Sequence, residues 1–162
     1  MKPPANPLYL RDADLRQAIE LLFFGYRDFT GDADNILAEF GLGRAHHRAI
    51  YFIGANPGIT VGQLLDILRI TKQSLSRVLN QLVDDDFVQQ NLDAEDRRRR
   101  CLYLTKRGQN LESQLTEIQS RRIAKAYRDA GAESVAGFRT VLHGLINEED
   151  QSKVASPVKS QI

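Results

Sequence analysis

The sequence predicts a mainly α-helical α+β fold: a winged helix-turn-helix between N- and C-terminal helices that form a dimerisation domain. Three observations predict it: two short amphipathic helical segments joined by a tight turn, two strand-like segments directly after them, and apolar residues at helical spacing on both sides. The predicted parts are a dimerisation helix with its connector over 1–43, a winged helix-turn-helix over 44–108, dimerisation helices over 109–147 and a flexible tail over 148–162.

The N-terminal region contains the first two predicted helices. Apolar residues at helical spacing predict one helix over 12–29 and a second from about 44 to 55. Asn56-Pro57-Gly58 then ends the second helix, because proline restricts the residue before it and glycine permits a left-handed turn. A new helix is therefore expected to begin directly afterwards.

Two capping signals mark the helix-turn-helix. Thr60 and Gln63 fit a capping box, in which each side chain accepts the backbone amide of the other residue. Thr71 can cap the following helix, which is expected to run through residue 85. Because only the short segment 69–70 connects the two helices, we expect a steep crossing that projects the second helix outward.

The second of these helices has two chemically distinct faces. At about 100° per residue, its large apolar side chains cluster on one side. The opposite side presents amide, hydroxyl and guanidinium groups from Gln73, Ser76, Arg77 and Asn80. Such groups hydrogen-bond to phosphates and to base edges in the major groove of DNA, whereas the alternative is an ordinary solvated helix face.

Downstream, the strand-like segments 87–91 and 100–104 flank a polar tip, which predicts a β-hairpin with a charged turn. The four consecutive arginines over 97–100 repel one another unless they are paired or offered to a polyanion. Three acidic residues of the tip can pair with only some of them. Narrow minor grooves attract guanidinium groups, so the tip suits DNA; a solvated loop of salt bridges is the alternative.

Two helices are predicted after the hairpin. Thr105 can cap a long helix that ends near residue 130, before Gly131, and the last helix is expected over 132–147. Both terminal regions have apolar surface that the central module cannot wholly cover, which predicts a homodimer interface; an intramolecular helical core is the alternative. The candidate interface residues are Leu15, Ile19, Leu22, Val135, Phe138, Leu142 and Leu145.

The composition narrows the functional class. The 162 residues include 22 basic and 21 acidic ones, a formal charge of +1, so affinity for nucleic acid must come from local placement of charge. Cys101 is the only cysteine, and the sequence has no zinc-ligand cluster, glycine-rich phosphate loop or nucleophile elbow. With no signal peptide and no apolar run near the ~20 residues of a membrane span, the chain is expected to be a cytoplasmic non-enzyme without cofactor or metal.

Two segments resemble those of one known family. Asp96-Arg97-Arg98, followed by Leu102-Tyr103-Leu104-Thr105-Lys106-Arg107-Gly108, is similar to the D-x-R wing and the L-T-x-x-G motif of the MarR (multiple antibiotic resistance regulator) family of bacterial transcription regulators. The spacing from Thr71-Lys72-Gln73-Ser74-Leu75-Ser76-Arg77 through Leu82 to Phe87-Val88 is similar to the family's recognition helix and first wing strand. The resemblance covers most of the chain.

The resemblance implies a homodimeric transcription regulator that binds double-stranded DNA at a pseudo-palindromic operator, in most relatives as a repressor. It also implies a small-molecule effector, held between the dimer helices and the DNA-binding module. Phe24, His47 and Tyr51 are the candidate pocket residues, although such side chains are more often core fillers. The alternative from another functional class is a winged-helix module that recruits a protein partner and has no sequence-specific DNA binding.

Individual roles also follow from the resemblance. Thr71 and Lys72 would contact phosphates, Arg98 would reach the minor groove, and Asp96 would orient the wing by pairing with an arginine. The residues expected in the major groove are Gln73, Ser74, Ser76 and Arg77. The full candidate set for DNA binding is Thr71, Lys72, Gln73, Ser74, Ser76, Arg77, Asn80, Asp96, Arg97, Arg98 and Arg99. Asp86 and Gln90 depart from the family's pattern, which often has glycine and a basic residue there.

Overall fold

The computed structural model describes residues 8–155, which form six α-helices, three short strands and two 3-10 helices. In chain order these are a 3-10 helix at Leu8–Leu10, α1 (Asp12–Glu39), α2 (Arg44–Ala55), β1 (Ile59–Thr60), α3 (Val61–Leu68), α4 (Lys72–Asp84), β2 (Val88–Leu92), β3 (Arg100–Leu104), α5 (Lys106–Ala130), α6 (Ala132–Leu145) and a 3-10 helix at Glu148–Lys153. The predicted mainly helical fold with a winged helix-turn-helix is confirmed.

Helix α1 extends well beyond its predicted end at Phe29. The Thr30 hydroxyl donates to a backbone carbonyl one turn earlier, at 2.8 Å, and Leu37 is fully buried in the core. This burial outweighs the low helix propensity of Gly31. The helix ends instead before Gly41, whose left-handed backbone (φ 66°) donates its N–H to a carbonyl of the last turn.

The helix-turn-helix begins, as predicted, with a capping box at Thr60. Its hydroxyl oxygen accepts the Gln63 N–H at 3.2 Å, and Gln63 Oε1 accepts the Thr60 N–H at 2.9 Å. Helix α3 ends at Arg69, whose backbone is left-handed (φ 50°, ψ 41°). Thr71 Oγ1 then accepts the N–H of Ser74 at 3.1 Å, which confirms the predicted cap of α4.

The wing is a three-stranded antiparallel sheet in the order β1-β3-β2. Strand β3 has its predicted bounds, whereas β2 lies one residue later than the predicted 87–91. The reason is that Phe87 completes the turn after α4, with its N–H bonded to the Leu82 carbonyl. The sequence does not predict β1, because two residues are too few for an alternating pattern.

The start of α5 is joined to the turn before β2. Thr105 Oγ1 accepts the Gly108 N–H at 3.0 Å and donates to the Asp86 carbonyl at 2.5 Å. Asp86 has a left-handed backbone (φ 61°), a conformation that favours glycine. Gly108 lies so close to the Phe87 carbonyl oxygen that a Cβ atom at this position would overlap it. The L-T-x-x-G pattern therefore fixes helix α5 against the base of the wing.

The hydrophobic core lies beneath the helix-turn-helix and continues along the first half of α5. Its fully buried members include Ile50 and Ile53 of α2, Leu75 and Leu82 of α4, and Leu115 of α5. The buried face of α4 is the apolar face that the periodicity predicts. The first half of α1 and the whole of α6, by contrast, keep their large apolar side chains exposed or half-buried.

The C-terminal region differs from the predicted flexible tail over 148–162. Helix α6 ends at Leu145, and Glu148–Lys153 then forms a 3-10 helix that returns to α3 and makes salt bridges with it. These ion pairs join residues that are far apart in sequence, so a local pattern does not signal them. Residues 156–162 of the predicted tail lie outside the described part of the chain.

Candidate nucleic-acid interface

The outward face of α4 presents every residue that the sequence analysis assigns to it. All seven candidate side chains of this helix and its cap are exposed. They belong to Thr71, Lys72, Gln73, Ser74, Ser76, Arg77 and Asn80. The N-terminus of α4 also faces solvent, and its partial positive charge favours anions there.

A groove of about 770 Å³ separates α4 from the wing. The start of α3, the outward face of α4 and the wing arginines form its walls. Among the candidate DNA-binding residues, it brings together Lys72, Ser76, Asn80, Arg98 and Arg99. The other candidates of α4 lie outside the groove, on the rest of the exposed face. The groove therefore combines basic, hydroxyl and amide side chains with the apolar side chains of Val61, Leu65 and Leu79.

Four further groove residues with polar side chains escaped the sequence analysis as site residues. They are Thr60, Gln63, Gln90 and Arg100. Arg100 Nη1 donates to Gln90 Oε1 at 3.3 Å, so the glutamine that replaces a basic residue orients a neighbouring arginine. The only signal for Thr60 and Gln63 was their capping box, which indicates a helix start and says nothing about the surface that the helix start faces.

The arginines at the wing tip are free of ion pairs within the described residues. No salt bridge in residues 8–155 includes Arg97, Arg98 or Arg99, and all three are exposed. The tip therefore presents three guanidinium groups without ion-pair partners on a chain whose net charge is only +1.

The acidic residues of the tip bind backbone groups. Asp96 Oδ1 accepts the backbone N–H of Arg98 at 3.0 Å, and Asp93 Oδ1 accepts that of Glu95 at 2.9 Å. The expected pairing of Asp96 with an arginine side chain is therefore wrong. A short aspartate side chain satisfies the nearby amide of its own turn more readily than it reaches an extended guanidinium. Asp96 consequently shapes the turn and leaves the arginine side chains available.

A second cavity of about 610 Å³ lies between α1, α2, α3 and α5. His47 and Tyr51 line it, as the sequence analysis expects, but Phe24 does not. Phe24 is exposed on α1, where it contacts Phe23 edge-on and lies under the guanidinium of Arg27 at 4.8 Å. Phe24 lies outside this cavity because the cavity begins nearer the C-terminal half of α1.

Polar groups converge on this cavity from α1 and α2. Arg48 Nη2 donates to the Tyr26 hydroxyl at 2.8 Å, and Arg44 Nη2 lies 2.9 Å from Asp34 Oδ2. Burial lowers the pKa of the His47 imidazole below its ordinary value, so this side chain is neutral near pH 7. The cavity therefore combines apolar walls with two arginines that already have partners.

The candidate dimerisation residues lie on the exposed face of the terminal helices. Ile19 is 68% exposed and Leu145 is 61% exposed, whereas Val135 and Leu142 are half-buried. Phe138 packs edge-on against Tyr127 of α5. Leu15 and Leu22 are also exposed, each at 46%. The first half of α1 thus exposes large apolar side chains of its own, a pattern that is usual for helices covered by a neighbouring element.

Thiol chemistry and metal binding have less structural basis in the described residues. Cys101 is a half-buried residue of β3, paired in the sheet with Thr60 and Asn91. His46 has a structural role, since its Nδ1 accepts the Gly43 N–H and its Nε2 lies 2.8 Å from Gln81 Oε1. Between residues 8 and 155, no three His, Cys, Asp or Glu side chains are grouped as a metal site requires.

Membrane-spanning helices are absent from this described stretch. Its helices all fall short of the combination of length and apolarity that crossing a bilayer requires.

Comparison with known proteins places the chain in a family. Residues 40–99 match a family model described as the MarR family. The chain is 50% identical over 140 residues to the HTH-type transcriptional regulator PetP of Rhodobacter capsulatus, an alignment that covers 86% of this chain and 84% of that protein. The chain belongs to the MarR family. It is thus a member of a family of transcription regulators, as its wing and L-T-x-x-G motifs indicate.

Solved structures of MarR-family proteins share the fold. The crystal structure of Streptococcus pneumoniae FabT in complex with DNA has a TM-score of 0.73 at 21% identity, covering 82% of this chain and 94% of that one. The crystal structure of MarR has a TM-score of 0.61 at 24% identity, covering 86% of this chain and 98% of that one. The winged helix-turn-helix and its flanking helices are therefore common to this MarR-family regulator and these proteins.

Proposed function

We propose that this MarR-family transcriptional regulator binds double-stranded DNA as a homodimer, with α4 in the major groove and the wing tip in the adjacent minor groove. One observation supports this above all others. Part of the polar face of α4 and the unpaired Arg98 and Arg99 of the wing border a single groove, which supports placing base-reading and phosphate-binding groups on one surface.

The side chains of α4 have the chemistry that this position demands. Gln73, Ser76, Arg77 and Asn80 can hydrogen-bond to base edges, which differ for each base pair in the major groove. Thr71 and Lys72 lie at the helix N-terminus, where a phosphate meets both the partial charge of the helix and the lysine ammonium. Ser74 Oγ accepts the Thr71 hydroxyl at 2.8 Å, which leaves its own proton for DNA.

The wing supplies charge where the minor groove has its most negative potential. Arg98 is the residue proposed to enter this groove, with Arg97 and Arg99 at the flanking phosphates. Because Asp96 binds the backbone amide of Arg98, it is proposed to set the direction of the tip without neutralising it. Arg100 is hydrogen-bonded to Gln90 in the protein groove between α4 and the wing, and it is proposed to contact the sugar-phosphate backbone.

The exposed apolar surfaces of α1 and α6 support the proposed homodimer. Ile19, Phe23, Val141 and Leu145 are each more than 60% exposed, a concentration that soluble proteins normally bury against a partner. A two-fold interface over these helices would present two α4 helices to one face of DNA. Half-sites about one helical turn apart then follow from the symmetry.

The proposed role is repression that a small molecule relieves. The 610 Å³ cavity lies between the terminal helices and the helix-turn-helix, so a bound ligand would alter their separation. His47 and Tyr51 are proposed to contact the ligand. Since ligand and operator would prefer different arrangements, each must weaken the binding of the other by the same factor. A compound that raises the Tm of the free protein but leaves operator affinity unchanged would contradict this coupling.

The test of DNA binding is a selection of genomic fragments with the purified protein at two ionic strengths, followed by sequencing. We expect enrichment of a pseudo-palindromic sequence, bound by a species of twice the 18.3 kDa chain mass. Affinity should fall steeply with salt, because each phosphate contact releases a counterion. Salt-insensitive binding without sequence enrichment, or a protein partner captured in place of DNA, would favour the interaction-module alternative.

A further inference from the structure

The C-terminal strap, defined here as residues Glu148–Lys153, returns from α6 to the helix-turn-helix of its own chain. It is a 3-10 helix with three acidic residues in its first turn and Lys153 at its end. Its charged side chains contact α3 and the connector between α3 and α4. The strap thus links the end of the last terminal helix directly to the part of the chain that precedes the recognition helix.

The contacts form an alternating network of charges. Arg69 Nη2 lies 3.0 Å from Glu149 Oε1 and 2.9 Å from Asp150 Oδ2. Lys153 Nζ lies 2.7 Å from Asp66 Oδ2 and 2.6 Å from Asp150 Oδ1. Two carboxylates therefore surround the Arg69 guanidinium, while Lys153 ties the strap to α3.

Arg69 occupies a special place in the fold. It is the left-handed residue that ends α3, and Thr71 caps α4 two positions later. Its guanidinium is consequently close in the chain to Thr71 and Lys72, which are proposed to contact phosphates. A guanidinium binds carboxylate and phosphate oxygens through the same planar set of donors. Glu149 and Asp150 can therefore stand where phosphate oxygens would bind.

We propose that the strap is an autoinhibitory contact: Glu149 and Asp150 occupy Arg69 in the free protein, and a DNA phosphate displaces them when the operator binds. This inference rests on the proposed DNA-binding function and adds a regulated contact to it. The side chains of Arg69 and Glu149 are 51% and 65% exposed, so this ion pair is accessible and screened by salt, whereas Asp150 is half-buried. The phosphates of DNA are closely spaced along the duplex, and this density of negative charge allows one of them to compete with such an ion pair for Arg69.

The strap also gives the terminal helices a route to the recognition helix. It directly follows α6, so a shift of α6 would move Glu149 and Asp150 relative to Arg69. A state that holds the strap on Arg69 binds DNA with one fewer cation per subunit. Effector binding near the terminal helices could thereby change operator affinity through charge as well as through the separation of the two α4 helices.

The experiment compares the operator affinity of the wild type with that of the strap variant Glu149→Gln/Asp150→Asn over a range of salt concentrations. Freed Arg69 residues should tighten binding by about three- to tenfold near 0.1 M salt and steepen the slope of log K against log salt, because added salt weakens the ion pairs that the wild type must break. The matched control is Glu117→Gln/Asp129→Asn on α5, which removes the same number of ion-paired carboxylates. It should change the affinity less and leave the slope unchanged.

A double-mutant cycle assigns the effect to Arg69. In an Arg69→Gln background, neutralising the strap should no longer tighten binding or steepen the slope. Unchanged affinity and slope in the strap variant, or the same gain with and without Arg69, would overturn the inference. Weaker DNA binding by the strap variant would also overturn the inference, since the strap would then stabilise the helix-turn-helix in its DNA-binding arrangement. A wild type that binds no DNA would instead refute the proposed function itself.

Discussion

A Gly108→Ala variant is expected to lose more than about 3 kcal/mol of its free energy of unfolding, a loss large enough to unfold much of the protein. The added Cβ atom would overlap the Phe87 carbonyl oxygen. Overpacking against side chains costs about 1–3 kcal/mol because they can rotate away, but here the obstacle is backbone. Phe87 cannot move freely, since its carbonyl also accepts the Thr105 N–H. Chemical denaturation followed by circular dichroism measures the change.

The matched control is Gly31→Ala, another glycine-to-alanine change within a helix. An added Cβ atom at Gly31 meets nothing within 4 Å, so the main effect is the better helix propensity of alanine. This variant should be as stable as the wild type or more stable by up to ~1 kcal/mol. Equal stabilities for the two variants would mean that the start of α5 does not abut the turn before β2.

The sequence predicts the fold best where a local signal marks each boundary. The helix caps at Thr60, Thr71 and Thr105 form as the sequence predicts, because each threonine hydroxyl needs only the backbone N–H three residues later. The end of α1 depends on burial of Leu37, and that burial depends on elements elsewhere in the chain. The same holds for the strap, whose contact with Arg69 spans 80 positions.

The candidate site, like the fold, is only partly predictable from the sequence. Periodicity predicts which side chains of α4 point outward, since the core and the solvent lie on opposite sides of one helix. The partners of the wing acids are not predictable from charge, because Asp96 can accept either a guanidinium or a backbone amide and the shape of the turn decides. The left-handed backbone of Asp86, a conformation that favours glycine, gives a physical reason for the glycine that the resemblance leads us to expect at this position.

Substitutions in the wing and in the recognition helix α4 are expected to have large but different effects on DNA recognition. Arg98→Ala should weaken binding to operator and unrelated DNA alike and lower the salt slope by ~2 for a dimer, because the arginine neutralises phosphate charge or minor-groove potential without reading a base. Gln73→Ala and Arg77→Ala should weaken operator binding and also change the preference among sites. Each lost base contact is worth about 1–3 kcal/mol of discrimination. Titrations of operator and single-base variants at two salt concentrations measure both quantities.

Arg128→Ala is the control for loss of an exposed arginine far from the groove, near the end of α5. It should leave the ranking of sites and the salt slope unchanged, because about 22 residues of helix, at about 1.5 Å each, separate it from the start of α5 at the base of the wing. The comparison distinguishes a specific wing contact from a general change in net charge. Operator binding that is unchanged in the Arg98, Gln73 and Arg77 variants would contradict the assignment of this surface. A change of site preference in Arg98→Ala would show instead that the wing reads sequence, directly or through the width of the minor groove.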